Sequence, residues 1–328
     1  MSFPDRDCRY LVLILFLVVT SASGAVDLRV GVISESVNKW PMWVAEDKGY
    51  FAEQGINVEL ILTGDATAQL EKLRNAELDL GHQAADHIVR AIERGDNFVV
   101  VHTITRATND LLVGPGIKSF NDLKDKTFAL ANLNVSYWLM FDKVLRANGV
   151  NPGDYKVIAN SGGPAMRMQV LRAGKADVTY MNPPASIEAE AEGYTRLTSL
   201  SEHYPQFPAS SIATRRDWGE LNRDVLVKYL MAYIRATEWL LDESNRDEAM
   251  NIAVNIGGHE RNILDGAYEA FVKHGLVRFG TLSSDGYSQI SQLLLEKGIV
   301  NEISPMEKYA DTTYQQKAKE RLNLQIND

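Results

Sequence analysis

Short apolar runs alternate with helical segments along the first half of the chain, which predicts an α/β fold. Residues 28–33 (LRVGVI) and 56–62 (INVELIL) are predicted strands, and a helix that begins near Pro41 and ends at Gly49 lies between them. Proline suits the first turn of a helix, and glycine suits the position just after its end. A strand, a helix and a second strand in this order form a βαβ unit, which predicts a parallel sheet.

A second α/β set follows the break at 114–116 (Gly-Pro-Gly), and the chain then becomes strongly helical. From about Trp218 the apolar positions recur with helical spacing, and the polar tail after Ser304 is expected to wrap around the surface. The C-terminal helices are predicted at 221–243, 246–256, 260–274 and 285–297.

One segment of the chain has an internal echo. Residues 73–80 (LRNAELDL) match residues 171–178 (LRAGKADV) in the pattern L-R-x-small-charged-x-D-apolar. Each copy ends a predicted helix, turns, and enters a strand, with Asp79 and Asp177 in the same place. The echo indicates two α/β lobes of the same make, whose loops at the strand ends face each other, where open α/β sheets bind ligands. The alternative is chance similarity in a common helix-turn-strand segment.

The N-terminus differs from the rest of the chain. Residues 11–19 (LVLILFLVV) are apolar and too few to span a bilayer, which needs about 20. Small residues follow at 20–25, so we expect a signal peptide over 1–25 with cleavage after Ala25 and export to the periplasm. The charges that precede the apolar run cancel, and the alternative is an uncleaved anchor.

Composition removes several classes of function. The only cysteine is Cys8, so the chain after the signal has no disulfide, thiolate metal site or cysteine nucleophile. A net charge of −9 argues against nucleic acid and anionic membrane as partners. The sequence has no G-x-S-x-G, P-loop, H-E-x-x-H or G-x-G-x-x-G motif. We therefore expect a protein that is not an enzyme and that binds no metal and no cofactor.

Candidate ligand-binding residues lie in loops after predicted strands, where polar and aromatic side chains mix. In the first lobe each has a structural alternative: a loop that caps the next helix, a carboxylate in a first helical turn, or a surface salt bridge. In the second lobe Gly162 and Gly163 precede a predicted helix, where they either bind an anionic group or only make the turn, and Asn182 offers both a donor and an acceptor. The predicted set is Ser36, Asn38, Lys39, Trp40, Gln83, Asp86, Thr105, Arg106, Asn134, Ser136, Tyr137, Gly162, Gly163 and Asn182.

Residues 41–60 (PMWVAEDKGYFAEQGINVEL) resemble the opening of the SsuA/THI5-like (NMT1-like) solute-binding proteins. The resemblance extends through Asp79, Asp177 and residues 117–126 (IKSFNDLKDK). It implies a type II periplasmic-binding-protein fold, with two α/β lobes joined by a two-crossing hinge. Lobe one would comprise 26–112 and 212–328, and lobe two 113–211, with crossings near 112–116 and 210–214.

Members of this family bind alkanesulfonates, taurine, nitrate, pyrimidine precursors of thiamine or aromatic acids, and deliver them to an ABC permease. The resemblance therefore implies a monomer that closes on a small organic molecule (an organic acid, a sulfonate or a pyrimidine-like compound) and hands it to an ABC transporter permease in the inner membrane. Residues 132–136 carry Asn and Val where sulfonate binders place Gly and Ser, which disfavours a sulfonate. The alternatives are a THI5-like pyrimidine-precursor enzyme and a ligand-sensing domain on the same fold.

Overall fold

A computed structural model describes residues 24–133 and 135–324. The predicted signal peptide lies outside the described residues, apart from its last two positions. The strands are β1 Val26–Val32, β2 Ile56–Leu62, β3 Leu80–Ala84, β4 Phe98–Arg106, β5 Asp110–Val113, β6 Thr127–Ala129, β7 Lys156–Ile158, β8 Val178–Met181, β9 Thr195–Ser199 and β10 Pro208–Arg215.

The strands form two sheets of the same topology. The first has the order β2-β1-β3-β10-β4 and the second the order β7-β6-β8-β5-β9. In each sheet four strands run in the same direction, three of them as neighbours paired in parallel. The strand that arrives from the other sheet, β10 or β5, is antiparallel to both of its neighbours. The prediction of two α/β lobes is therefore confirmed, and the two sheets are called here the first and second lobes.

Helices cover the sheets. Those of the α/β part are α1 Trp40–Asp47, α2 Tyr50–Glu53, α3 Ala66–Arg74, α4 Ala85–Glu93, α5 Ser136–Ala147, α6 Pro164–Arg172, α7 Ala185–Ala191 and α8 Leu200–His203. The C-terminal ones are α9 Arg216–Leu221, α10 Arg223–Leu241, α11 Arg246–Asn255, α12 Arg261–Ala267, α13 Ser284–Glu296 and α14 Thr313–Arg321. Helix α12 continues into a π-helical turn at Tyr268–Lys273.

The chain crosses between the lobes earlier than predicted. The first crossing lies between the end of β4 at Arg106 and the start of β5 at Asp110, and the second between α8 and β10. The predicted boundaries at 112/113 and 211/212 therefore fall inside β5 and β10. The break at 114–116 turns the chain after β5 within the second lobe.

The C-terminal part is not confined to the first lobe. Helix α13 contacts α4 of the first lobe and α5 of the second, and Lys143 Nζ lies 2.8 Å from Glu296 Oε1 across the α5–α13 contact. The tail after Ser304 does not simply wrap the surface. Tyr314 and Ala318 are buried against the core around α10, because their spacing puts both on one face of α14.

The two echoed segments have matching structures. The backbone N–H of Arg29 in β1 donates to Asp79 Oδ2 at 2.9 Å, and that of Thr127 in β6 donates to Asp177 Oδ2 at 2.8 Å. Each aspartate thus fastens the start of its strand to the neighbouring parallel strand of its own lobe, β1 or β6. Ala76 and Gly174 occupy the same position, just past the end of α3 and α6, with φ of +60° and +65°.

Replacing Ala76 by glycine should raise the free energy of unfolding by about 1 kcal/mol, measured by urea denaturation. An L-residue at positive φ costs roughly 1–2 kcal/mol, which exceeds the entropic cost of glycine in the unfolded chain. Gly174→Ala is the matched control and should lose about as much, because nothing lies within 4 Å of the added Cβ. A less stable Ala76→Gly protein would contradict this account of the turn.

Candidate functional site

A polar cleft lies between the lobes, at the ends of β1, β3, β4 and β8. It consists of two adjoining cavities of about 160 and 220 Å³ that share the walls Asn38, Tyr137, Ala209 and Ser210. The Arg106 compartment is completed by Thr105, Arg106, Thr108, Asn109, Asn182, Pro183 and Phe271. The His82 compartment is completed by Val32, Ile33, Ser34, Ser36, Lys39, His82, Gln83 and Ala84. Both lobes therefore contribute side chains to one site.

The Arg106 compartment carries one positive charge. No aspartate or glutamate is among its lining residues, and within residues 24–133 and 135–324 no carboxylate forms an ion pair with Arg106. The neighbouring side chains of Thr105, Thr108, Asn109 and Asn182 are uncharged hydrogen-bonding groups. A planar guanidinium with such neighbours suits a carboxylate or another oxyanion.

The His82 compartment is electrically neutral. The Lys39 ammonium pairs with the Glu35 carboxylate and lies 5.4 Å from the centre of the Trp43 ring. His82 Nε2 hydrogen-bonds the Tyr229 hydroxyl at 2.9 Å, and burial lowers the pKa of His82 to about 3. Gln83 Oε1 accepts from Gln69 Nε2 at 2.9 Å. These groups can orient an uncharged part of a ligand without adding charge.

Eight of the predicted residues line the cleft, and they come from the ends of β3 and β4, the segments after β1 and β8, and the start of α5. Tyr137 borders both compartments, and burial, followed by the Asp86 charge, raises the pKa of its hydroxyl, which therefore stays protonated. Asn134 lies outside the described residues. The eight are Ser36, Asn38, Lys39, Gln83, Thr105, Arg106, Tyr137 and Asn182.

The prediction that Trp40 contacts ligand is wrong. Its side chain is fully buried in the core of the first lobe, its indole N–H donates to the Ala249 carbonyl at 3.0 Å, and its ring packs edge-on against Tyr268. The polar loop that precedes Trp40 suggested a binding site, but the start of α1 turns this side chain inward against α11.

Asp86 and Ser136 also lie outside the two cavities, and their side chains hydrogen-bond each other. The Ser136 hydroxyl of the second lobe donates to Asp86 Oδ2 of the first lobe at 2.5 Å, and both residues are buried. Arg90 Nε lies 3.7 Å from the same carboxylate oxygen. The pair is thus a direct polar contact between the lobes.

Gly162 and Gly163 do not line the cleft either. They form the turn into α6, where Gly162 has φ of +76° and a Cβ would meet the Met166 side chain at 2.4 Å. The buried Arg167 side chain donates to the Gly162 carbonyl at 2.6 Å and to the Tyr180 carbonyl at 2.9 Å. These contacts give the segment a structural role inside the second lobe.

Sequence reasoning missed several lining residues. Thr108 and Asn109 lie in the first crossing and Ser210 lies in β10, while Phe271 comes from the π-helical turn. For Thr108 and Asn109 the only signal in the sequence was that this segment is polar. Ser210 and Phe271 reach the cleft through long-range packing that no local pattern reports.

The described residues hold no group of three or more His, Cys, Asp or Glu side chains arranged to bind a metal ion. Over the same residues, no helix has both the length and the apolar character needed to cross a membrane.

The chain is similar to proteins that are named as binding proteins. The putative binding protein YtlA of Bacillus subtilis is 21% identical over 277 residues, which cover 82% of this chain and 83% of YtlA. The bicarbonate-binding protein CmpA of Synechococcus elongatus is 21% identical over 268 residues, which cover 71% of this chain and 59% of CmpA.

Solved structures share the fold. The periplasmic aliphatic sulphonate-binding protein SsuA of Escherichia coli superposes with a TM-score of 0.72 at 18% identity, over 87% of this chain and 97% of SsuA. The ligand-binding component of an ABC-type import system from Staphylococcus aureus gives 0.72 at 14% identity, over 89% and 99%. The desulfurization enzyme DSZB gives 0.67 at 14% identity, over 90% and 99%.

The model of the family described as NMT1/THI5 like matches residues 36–246, which is more than half of the chain and includes strands and helices of both lobes. The resemblance inferred from residues 41–60 is thereby confirmed, and the chain belongs to the NMT1/THI5-like family.

Proposed function

We propose that this chain is an extracytoplasmic solute-binding protein that captures a small organic molecule with an acidic group and delivers it to an ABC importer. In this proposal residues 1–25 act as a signal peptide, the mature chain works in the periplasm as a monomer, and an inner-membrane permease receives the ligand.

The observation that carries the proposal is the charge distribution of the cleft. Arg106 is a cation without an ion-pair partner among the described residues, at the boundary of the two lobes. Uncharged polar side chains from the second lobe, those of Asn182 and Tyr137, line the same cavity. A ligand that contacts both lobes favours the closed arrangement, so binding is coupled to hinge closure.

The relatives support the delivery step. CmpA is named for binding bicarbonate, SsuA for binding aliphatic sulphonates, and the Staphylococcus aureus protein is the ligand-binding component of an import system. The neutral His82 compartment adds space beyond that needed by a small inorganic anion. It favours an organic molecule whose uncharged part lies beside Gln83 and Ser36.

A thermal-shift screen tests the proposal. A true ligand at about 100 times its Kd stabilises the folded state by roughly 2.7 kcal/mol, which should raise the Tm by a few degrees. The panel contains sulfonates, carboxylates, aromatic acids, pyrimidines, nitrate and bicarbonate, with the amide of each acid as its uncharged control. We expect a rise with at least one organic acid and a smaller rise with its amide, which lacks the charge that Arg106 would pair. No rise with any compound would remove the support for a binding protein.

The similarity to DSZB makes an enzyme on this fold the second candidate. The only cysteine of the chain is Cys8, which lies in the predicted signal peptide, so a cysteine nucleophile is not expected in the cleft. Incubation of the purified protein with each compound that raises the Tm, followed by mass spectrometry, separates the two functions. A solute-binding protein returns the compound unchanged, whereas an enzyme yields a product.

A further inference from the structure

Helix α5 begins at the interface of the lobes without a side-chain cap of its own. Its N-cap residue is Val135, which cannot accept a hydrogen bond through its side chain, and its first residue is Ser136. The first N–H groups of a helix have no partner within it, and the helix dipole makes this end positive. Such an end attracts an anion when one is near.

A carboxylate of the first lobe, that of Asp86, lies at this end of α5. Asp86 stands at the start of α4, is buried, and accepts the hydrogen bond from the Ser136 hydroxyl at 2.5 Å. Arg90 Nε lies 3.7 Å from one oxygen of this carboxylate, and His87 Nε2 lies 4.0 Å from the other. A carboxylate of the protein therefore lies beside the first residue of α5, near the end of the helix that attracts an anion.

We propose that Asp86 is a specificity-determining residue of the cleft: its carboxylate fills the anion position at the start of α5, so that the acidic group of the ligand is directed to Arg106. This inference rests on the proposed function, because it concerns which compartment receives that acidic group. Asp86 is then a positioning residue that does not contact the ligand. It occupies the anion position at the start of α5 and repels the acidic group of the ligand from it.

Two features of the cleft support this division of roles. A ligand anion at the start of α5 would lie beside the Asp86 carboxylate, and like charges at such short range repel strongly where water is scarce. Arg106, in contrast, lines a cavity that has no acidic residue in its wall. The Lys39 ammonium is already paired with Glu35, so the His82 compartment does not compete for the anion.

Sulfate serves as the probe, and its binding is measured by isothermal titration calorimetry. Four forms of the full chain are compared: the wild type, Arg106→Gln, Asp86→Ala and the double variant. The double variant should bind sulfate about tenfold or more tightly than Arg106→Gln, since the start of α5 and the Ser136 hydroxyl become free. Asp86→Ala should then show a second sulfate site that the wild type lacks.

The matched control is Asp47→Ala, which removes the same charge from an exposed position on α1 of the first lobe and should add no sulfate site. Asp86→Asn keeps the shape of the side chain and loses its charge, so it decides the question where the alanine variant is poorly folded. Equal sulfate affinity in Arg106→Gln with and without the Asp86 substitution, alanine or asparagine, would overturn the proposal.

The two proposals fail in different ways. A wild type that binds an organic acid through Arg106, together with Asp86 variants that gain no sulfate, would refute the role of Asp86 and leave the proposed function standing. Variants that gain sulfate while the wild type binds no compound of the panel would refute the proposed function and leave the role of Asp86 intact.

Discussion

Acidification from pH 6.5 to about 4 should lower the free energy of unfolding by several kcal/mol, through two buried histidines. Complete burial lowers the pKa of His82 to about 3, and burial together with the neighbouring His82 lowers that of His102 to about 3. An unfolded histidine has a pKa near 6.5, so between these values the unfolded chain takes up protons that the folded chain refuses.

The sign and the slope follow from this proton balance. Each histidine makes the folded state less stable by about 1.4 kcal/mol for every pH unit below 6.5, until the pH approaches 3. Two such groups give a slope of roughly 2.7 kcal/mol per unit. Above pH 6.5 both histidines are neutral in the folded and in the unfolded chain, so this loss of stability is absent. Carboxylates with lowered pKa values, such as Glu93 and Glu296, add to the loss once the pH falls below about 5.

The surroundings of His102 explain why its imidazole stays neutral in the folded protein. Its ring packs edge-on against Tyr233 at 5.2 Å, and both ring nitrogens are buried without a hydrogen-bond partner among the described residues. Gly280 approaches so closely that a Cβ there would lie 2.0 Å from the ring, so no side chain fits between them. A charged imidazolium at this place would have neither water nor a carboxylate beside it.

Urea denaturation at a series of pH values measures the slope. His102→Leu removes one titrating group and two unpaired nitrogens. It should therefore halve the slope between pH 6 and about 5, above the range of the carboxylates, and leave the protein at least as stable at pH 7. The control His274→Gln removes an exposed histidine and should keep the wild-type slope. An unchanged slope in His102→Leu would show that acid acts on other groups.

The architecture could be predicted because its signals are local. Alternating apolar runs and helix stops marked β1, α1 and β2, and the echo of Asp79 in Asp177 predicted the repeated turn that both lobes use to enter a strand. The lobe boundaries could not be placed in the same way. Glycine and proline mark tight turns, so 114–116 marked the turn after β5, whereas the crossing at 107–109 (Ala-Thr-Asn) contains neither glycine nor proline.

The site residues that could be predicted are those whose position depends only on where a strand ends. Ser36, Gln83, Arg106 and Asn182 lie at or just after the ends of strands that meet at the cleft, and polar residues at such ends are typical of binding sites. The same reasoning failed for Trp40, because its indole N–H is bound by the Ala249 carbonyl, more than two hundred residues away in the chain. The partner of Asp86 is likewise set by the closure of two lobes, which no sequence spacing reports.

Arg106→Gln should weaken binding of the acidic ligand by about 30-fold or more and leave the stability of the unliganded protein unchanged. Removing the partner of a desolvated charge costs about 2–5 kcal/mol, much of it because the remaining charge stays unpaired in the cleft. Arg106 has no ion-pair partner among the described residues, so no carboxylate is orphaned when its guanidinium is lost. Arg106→Lys keeps the charge and loses the bidentate geometry, so its affinity should fall between those of the two other proteins.

Calorimetric titration with the ligand found by thermal shift, and with its amide, measures this effect. The matched control is Arg94→Gln, which removes the same charge from an exposed position at the end of α4, away from the cleft, and should bind like the wild type. The amide should bind the wild type and Arg106→Gln with similar affinity, because it carries no charge for Arg106 to pair. If Arg106→Gln loses the acid and the amide equally, Arg106 shapes the cavity instead of recognising the acidic group; if it loses neither, the acidic group lies elsewhere in the cleft.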